Sequence, residues 1–206
     1  MSNSIVKSQA DLARKLTGGL TSGSLADIVK AQQIEEETFI LLDYSSSMDE
    51  NCSGSWDSDG DRKIDALRRV ANDLKSEVNC RHIGFGGYPS MDHNAVRFLD
   101  HEPIPEPEGG TPLAFAIRFA KGNGGKHLVV VSDGAPDNEH DAMTAAKEFG
   151  GPIDVFYVGP RNASGERFLK ELANATKGSC SVTSLKNTKE ITAGIRGLLS
   201  AGPSKP

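Results

Sequence analysis

Read for its hydrophobic pattern, the chain alternates two rhythms from about residue 37 onward. Short apolar runs rich in β-branched and aromatic residues come first: TFILLD (38–43), HIGFGG (82–87), HLVVVSD (127–133), DVFYVG (154–159) and CSVTS (180–184). Most are continuous rather than alternating, the signature of strands buried on both faces of a parallel sheet. Between them lie helical stripes. Ile64, Leu67, Ala71, Leu74 and Val78 recur at spacings of three and four, and Pro112 opens a second stripe through Leu113, Ala116, Ile117 and Ala120. Ala142, Ala146 and Phe149 predict a third helix, and Leu169, Leu172, Ala173 and Thr176 a fourth. A last one carries Ile191, Ile195, Leu198 and Leu199, with its cap at Asn187 or Thr188. AVRFL (95–99) reads as an additional edge strand, followed by the Pro-rich loop HEPIPEPEGG. Alternating strands and helices predict an open α/β sheet with helices on both faces. Ligands of such sheets bind beyond the carboxyl ends of the strands, where strand order reverses.

The ends of the chain follow other rules. Residues 1–35 predict a helical arm: Ile5, Leu12 and Leu16 share one face, GGLTSG interrupts it, and Ser24 with Asp27 resembles a capping box before Leu25, Ile28 and Val29. Such an arm either packs on the sheet domain, expected over 36–200, or docks a partner. Residues 201–206, AGPSKP, read as a disordered tail.

Composition narrows the function classes. With 206 residues, 37% hydrophobic and 25% charged, the chain has enough apolar side chains for one domain and its core. A net charge of -5 and a pI near 5.6 argue against nucleic acid or an anionic membrane as partner. No uncharged apolar run reaches the roughly 18 residues of a membrane span, and the charged start lacks the apolar stretch of a secretory leader. Three cysteines, Cys52, Cys80 and Cys180, include no CxxC pair and cannot all be paired with one another. The expectation is a cytoplasmic, thiol-reduced protein, in which the NxS matches at Asn51 and Asn162 carry no glycan.

The candidate chemistry falls where the fold predicts ligands. The first strand runs into Asp43-Tyr44-Ser45-Ser46-Ser47, the Pro-rich loop ends in Gly109-Gly110-Thr111-Pro112-Leu113, and the third parallel strand ends in Ser132-Asp133-Gly134. Each piece alone is common turn chemistry. Together they bring two carboxylates and three hydroxyls toward one sheet edge. All are hard oxygen donors, which suits magnesium, manganese or calcium rather than zinc. Two carboxylates offset a dication, hydroxyls add dipoles without charge, and a position left to solvent accepts an outside oxygen.

The ordered set DYSSS, GGTPL and SDG resembles the metal-ion-dependent adhesion site of von Willebrand factor type A domains, over roughly residues 36–200. KIDALRR (63–69) also resembles the first helix of that family. The resemblance implies a Rossmann-like sheet, mainly parallel with one antiparallel edge strand, the place for AVRFL. It implies that Asp43, Ser45, Ser47, Thr111 and Asp133 hold a divalent cation, magnesium first and manganese or calcium next. A Glu or Asp of a protein partner then completes the shell. It further implies a last helix, within 187–200, that shifts on ligand engagement. Intracellular relatives in bacteria work with AAA+ ATPases or in stress and phage-related systems, which sets the expected context without choosing a partner.

One stretch is longer and more acidic than a minimal connection: DENCSGSWDSDGDR, between Met48 and Lys63. Asp57, Asp59 and Asp61 fall at positions 1, 3 and 5 of an EF-hand-like loop, but Arg62 replaces the glycine and Arg68 the final glutamate. A second calcium site is one reading; the other is a solvated loop in which Asp61 favours the following helix N-terminus. A third reading is that Trp56, the single tryptophan, is exposed on this loop beside the metal and helps grip the ligand. The five histidines show no HExxH spacing, and GNGGK (122–126) precedes a strand, so it reads as a turn rather than a phosphate loop.

An enzymatic alternative is a magnesium-dependent phosphohydrolase with Asp43 as nucleophile. Haloacid-dehalogenase-like enzymes place a second aspartate two residues on as acid/base; here Ser45 stands there, with no evident His or Lys substitute in the sequence. The binding module, not the enzyme, is therefore the expectation.

Overall fold

The computed structural model describes residues 29, 30, 32, 37–52 and 61–201. The elements in chain order are β1 (Thr38–Asp43), α1 (Lys63–Glu77), β2 (Arg81–Phe85), β3 (Val96–Phe98), α2 (Leu113–Gly122) and β4 (His127–Ser132). They continue with α3 (Glu139–Phe149), β5 (Ile153–Tyr157), α4 (Ser164–Ala175), β6 (Cys180–Val182) and α5 (Thr188–Ala201). Short 3-10 turns cover Ser46–Asp49 and Leu185–Asn187. Apart from Val29, Lys30, Gln32 and Ala201, the predicted arm and tail lie outside the described residues.

The sheet has six strands in the order β3-β2-β1-β4-β5-β6. Every neighbouring pair is parallel except β2 with β3, so the predicted antiparallel edge strand is AVRFL, paired as Ile83 with Phe98 through Phe85 with Val96. The continuous apolar runs now have a physical reason. Along β1, Phe39 and Leu41 join one core cluster with Ile117, Val130 and Leu172, while Ile40 and Leu42 join the other with Leu67, Val131 and Ile195. Helices α2, α3 and α4 cover the first face, and α1 and α5 the second. A side chain pointing either way from a central strand is therefore buried.

Ends differ from the sequence reading where glycine or a cap intervenes. HIGFGG leaves the sheet after Phe85, where Gly87 turns the chain with a left-handed φ of +73°; Gly86 lies so close to Tyr44 that a Cβ there would press into its ring. Pro112 flanks α2 as its N-cap rather than opening it. Asn138 caps α3 by accepting from the Asp141 amide at 2.9 Å. Cys80 is buried before β2, whereas Cys180 is only half-buried at the start of an edge strand.

Strand order reverses at β1. Its connection to β2 goes one way, and β4 lies on its other side. The crevice this creates opens at the carboxyl ends of β1 and β4, which are Asp43 and Ser132.

Candidate metal centre

Three loops meet at that crevice, and backbone hydrogen bonds stitch them together. Tyr44, immediately after β1, donates its amide to the Phe85 carbonyl at 2.8 Å, and its own carbonyl accepts from the Glu108 amide at 3.0 Å. The Ser46 amide and hydroxyl both donate to the Gly109 carbonyl, at 3.1 and 2.9 Å. The Gly87 amide donates to Glu108 O, and the Gly110 amide donates back to Gly87 O. Gly109 sits at φ +58° with the Tyr88 ring against it, which is why the chain needs glycine there. Tyr44 itself is fully buried, and its hydroxyl donates to the Ala95 carbonyl at 3.0 Å, fixing the first loop against the β2–β3 connection.

The loop after β4 holds the third piece. Asp137 accepts from the Thr111 amide at 2.8 Å, while the Asp137 amide donates to Thr111 O at 3.1 Å. A Cβ on Gly110 would collide with that carboxylate. The Pro-rich loop is anchored on its other side by α1: Arg68 donates to Ile104 O, Pro105 O and Glu106, and Arg62 joins Glu106, Asp49 and Asp65. These bonds set where Thr111 stands.

Four of the five predicted ligands form one connected set. The Ser45 amide donates to Asp43 Oδ1 at 2.8 Å, and Ser132 Oγ donates to Asp43 Oδ2 at 2.5 Å. Ser45 Oγ and Ser47 Oγ share a hydrogen bond at 3.1 Å, and Ser47 Oγ donates to Asp133 Oδ1 at 2.6 Å. Asp43, Ser45, Thr111 and Asp133 are buried, and Ser47 is half-buried. Thr111 is brought in by its backbone, not by a side-chain bond to the others.

The electrostatics favour a cation. Burial pushes the Asp43 carboxyl up to about 7, and the neighbouring Asp133 charge adds to the rise; bonds from Ser132 and Ser45 only partly offset them. Two buried carboxylates with hydroxyls around them fit a hard dication, because positive charge at that point offsets both the burial penalty and the Asp133 repulsion that raise Asp43. Among the described residues, no group of three or more His, Cys, Asp and Glu side chains is placed to hold a metal. The donor set here is of another kind, two carboxylates and three hydroxyls.

No family profile and no curated protein matches this sequence. Among solved structures, the chain is similar to von Willebrand factor type A from Catenulispora acidiphila, with a TM-score of 0.60 and 14% identity. That match covers 81% of this chain and 43% of the other. The fold is of the von Willebrand factor type A kind. A second similar structure is proximal thread matrix protein 1 from the mussel byssus, at TM-score 0.52 and 13% identity, covering 80% of this chain and 45% of that one. The chain thus spans less than half the length of either, and the likeness concerns the fold.

Within this von Willebrand factor type A fold, the acidic loop after the first motif is described only at its two ends. Asp57, Asp59 and Trp56 lie outside the described residues, so the second calcium site and the exposed tryptophan do too. Asp61 stands two residues before α1. Its carboxylate pairs with Arg69 at 2.5 Å, and Asp65 supplies the acidic side chain of the first turn. A small antiparallel bridge, Asn51 with Arg62, closes the base of the loop.

Sequence reasoning missed the cation that stands in this site. Lys63, the first residue of α1, is 4% exposed. Its ammonium donates to Asp133 Oδ2 at 2.6 Å, to Glu50 Oε2 at 2.7 Å and to Ser47 O at 3.3 Å. Burial opposes its charge, but Asp133 and Glu50 outweigh that and hold it above the usual lysine range. One signal was available: a lysine at the start of a helix, where the macrodipole disfavours a cation, needs a specific carboxylate partner. Ser132 and Asp137 were also unassigned, because nothing in their spacing distinguishes them from turn residues.

Proposed function

We propose that this chain is a protein-interaction module that works through a bound divalent cation. Asp43, Ser45, Ser47, Thr111 and Asp133 hold the ion, magnesium first, with manganese or calcium as alternatives. A Glu or Asp side chain of a protein partner takes the coordination position that faces solvent. The observation that carries the reading is the pairing of Asp43 and Asp133, two buried carboxylates at the strand-order reversal, each linked to motif serines. Within the site, this chain's residues would orient the ion and keep its outer face open.

Supporting the docking role, large apolar side chains are exposed beside the same loops. Tyr88 is 53% exposed and packs against Gly109, Met91 in the same turn is 87% exposed, and Phe115, four residues beyond Thr111, is 53% exposed. Such side chains suit a protein surface rather than a polyanion. We place the module in the cytoplasm; no disulfide joins the three cysteines, and none of the described helices is long and apolar enough to cross a membrane.

Catalysis is not part of this reading. The sequence offered no lysine near Asp43, and the structure corrects that by bringing Lys63 into the site. Its ammonium lies on Asp133, however, and the group two residues after Asp43 is a serine. The decisive experiment is capture of a partner from native lysate by the wild type and by Asp43→Ala, with magnesium and with chelator. Magnesium-dependent capture lost in Asp43→Ala is expected, and equal capture under all conditions ends the proposal. Turnover of a generic aryl phosphate under magnesium, abolished by Asp43→Ala, would establish the phosphohydrolase instead.

A further inference from the structure

Lys63 has an energetic history that a surface lysine lacks. A buried ammonium is tolerated only when its donors are all satisfied, and the three N–H groups of Lys63 meet Asp133, Glu50 and the Ser47 carbonyl. The side chain is 5% exposed, the Asp133 side chain 1% and the Glu50 side chain 24%. Lys63 thus bridges a buried carboxylate of the metal set and a more accessible carboxylate outside it. Its contact with Ser47 O also touches the backbone of the first motif.

A divalent ion approaching Asp133 meets this ammonium on the same carboxylate, and like charges at that distance repel strongly in a buried site. The ammonium does not have to return to water, because Glu50 already holds it. We infer that Lys63 is a tethered counter-cation that competes with the divalent ion for Asp133, and that Glu50 is the anchor it keeps when the ion enters. The inference rests on the metal-site reading above and adds what governs loading of that site. Lys63 neutralises Asp133 in the ion-free protein, so ion binding is an exchange of cations rather than simple filling. Lys63 and Glu50 accordingly govern loading of the site through Asp133, without holding the ion themselves.

The test measures Mn²⁺ binding to the full chain by calorimetry and electron paramagnetic resonance, for wild type, Lys63→Met and Glu50→Gln. Thermal melts confirm that each variant is folded. Lys63→Met is expected to bind Mn²⁺ at least about tenfold more tightly, a coupling in the ordinary range for two linked sites. Glu50→Gln is expected to bind it several-fold more weakly, because the ammonium then has Asp133 as its one charged partner among its three acceptors. In wild-type protein labelled with ¹⁵N-lysine, saturating Mg²⁺ should shift the Lys63 ammonium resonance, a readout independent of either variant's folding. Unchanged or weakened Mn²⁺ affinity in Lys63→Met, with wild type still binding the ion, overturns the competition while leaving the metal site intact. An unmoved Lys63 resonance at saturating Mg²⁺ overturns it as well. Binding in Lys63→Met but not in wild type supports the competition and overturns ion-dependent function of the natural chain. Binding in neither overturns both.

Discussion

The two ends of the same sheet carry buried polar clusters built on opposite plans. At the amino ends of the strands, His127 at the start of β4 sits between Thr38 Oγ1 at 3.1 Å and Asp154 Oδ2 at 2.7 Å. Asp154 Oδ1 accepts both the amide and the hydroxyl of Ser179 at 2.6 Å. Burial works against the Asp154 charge, but the bonds from His127 and Ser179 win and hold its carboxyl below the usual range. At the carboxyl ends, Asp43 is equally sequestered yet is pushed up to about 7 by burial and by Asp133. The same residue type is stabilised as an anion at one end and destabilised at the other. The first cluster is closed on itself and reads as structural cement, while the second carries surplus negative charge and reads as a place for a ligand.

Substitution of the two aspartates should break that comparison most sharply. Asp154→Ala leaves His127 buried beside a void, and should cost about 3 kcal/mol in chemical denaturation. Asp43→Asn removes a disfavoured charge and should leave ion-free stability unchanged or raised by about 1 kcal/mol. Losses of similar size at both positions would erase the distinction.

Acid titration sharpens it next. Because the Asp43 carboxyl lies near 7 in the fold and 3.8 in the unfolded chain, its stabilising contribution is full below pH 3.8 and is lost as pH rises through about 7. His82 acts the other way. It is 1% exposed, with Nε2 unpartnered among the described residues, and burial, with Lys75 adding, lowers its pKa from 6.5 to about 4. Its stabilising contribution is therefore present above pH 6.5 and is lost as pH falls through about 4. In the wild type the two oppose each other in ion-free buffer. Asp43→Asn should lose stability on acidification from pH 6.5 to 4 more steeply, by up to about 1.4 kcal/mol per pH unit. Parallel profiles for wild type and variant would remove Asp43 as a titrating group in that range.

Loss of a single hydroxyl tests the ligand end alone. Thr111→Ala should lower Mg²⁺ affinity roughly tenfold, about 1.4 kcal/mol, while shifting ion-free stability by less than about 0.5 kcal/mol. Calorimetry and a thermal melt check both halves. The smallest effect expected is conformational. Helix α5 packs Ile191, Ile195 and Leu199 into the core and pairs Arg196 with Glu77 of α1. Hydrogen exchange within 187–200 should change modestly when a partner engages the site. Exchange that stays constant there would confine the response to the three loops.

Much of the architecture was legible in the chain because buried parallel strands announce themselves. TFILLD and HLVVVS have no polar face to hide, and their carboxyl ends located Asp43 and Asp133 before any coordinates did. The edge strand was legible in place but short in extent, since Ala95 and Leu99 are buried without belonging to its ladder. Lys63 was legible only as a helix residue. Its neighbours in sequence are charged and exposed or apolar and buried, so nothing local said that its ammonium would cross to a carboxylate seventy positions away.

Sequence by itself determined the period of each element, the order of strand and helix, and the presence of five oxygen-bearing side chains at the predicted strand and loop ends. Those properties are local, written in apolar spacing and in glycine, proline and hydroxyl chemistry. Only the tertiary structure decided which carboxylate keeps its charge and which is burdened by it. It also decided that Asp137 bonds the Thr111 amide, and that a lysine reaches Asp133. Those outcomes depend on distance and burial between residues far apart in the chain, and electrostatic energy in a low-dielectric interior is fixed by that geometry alone.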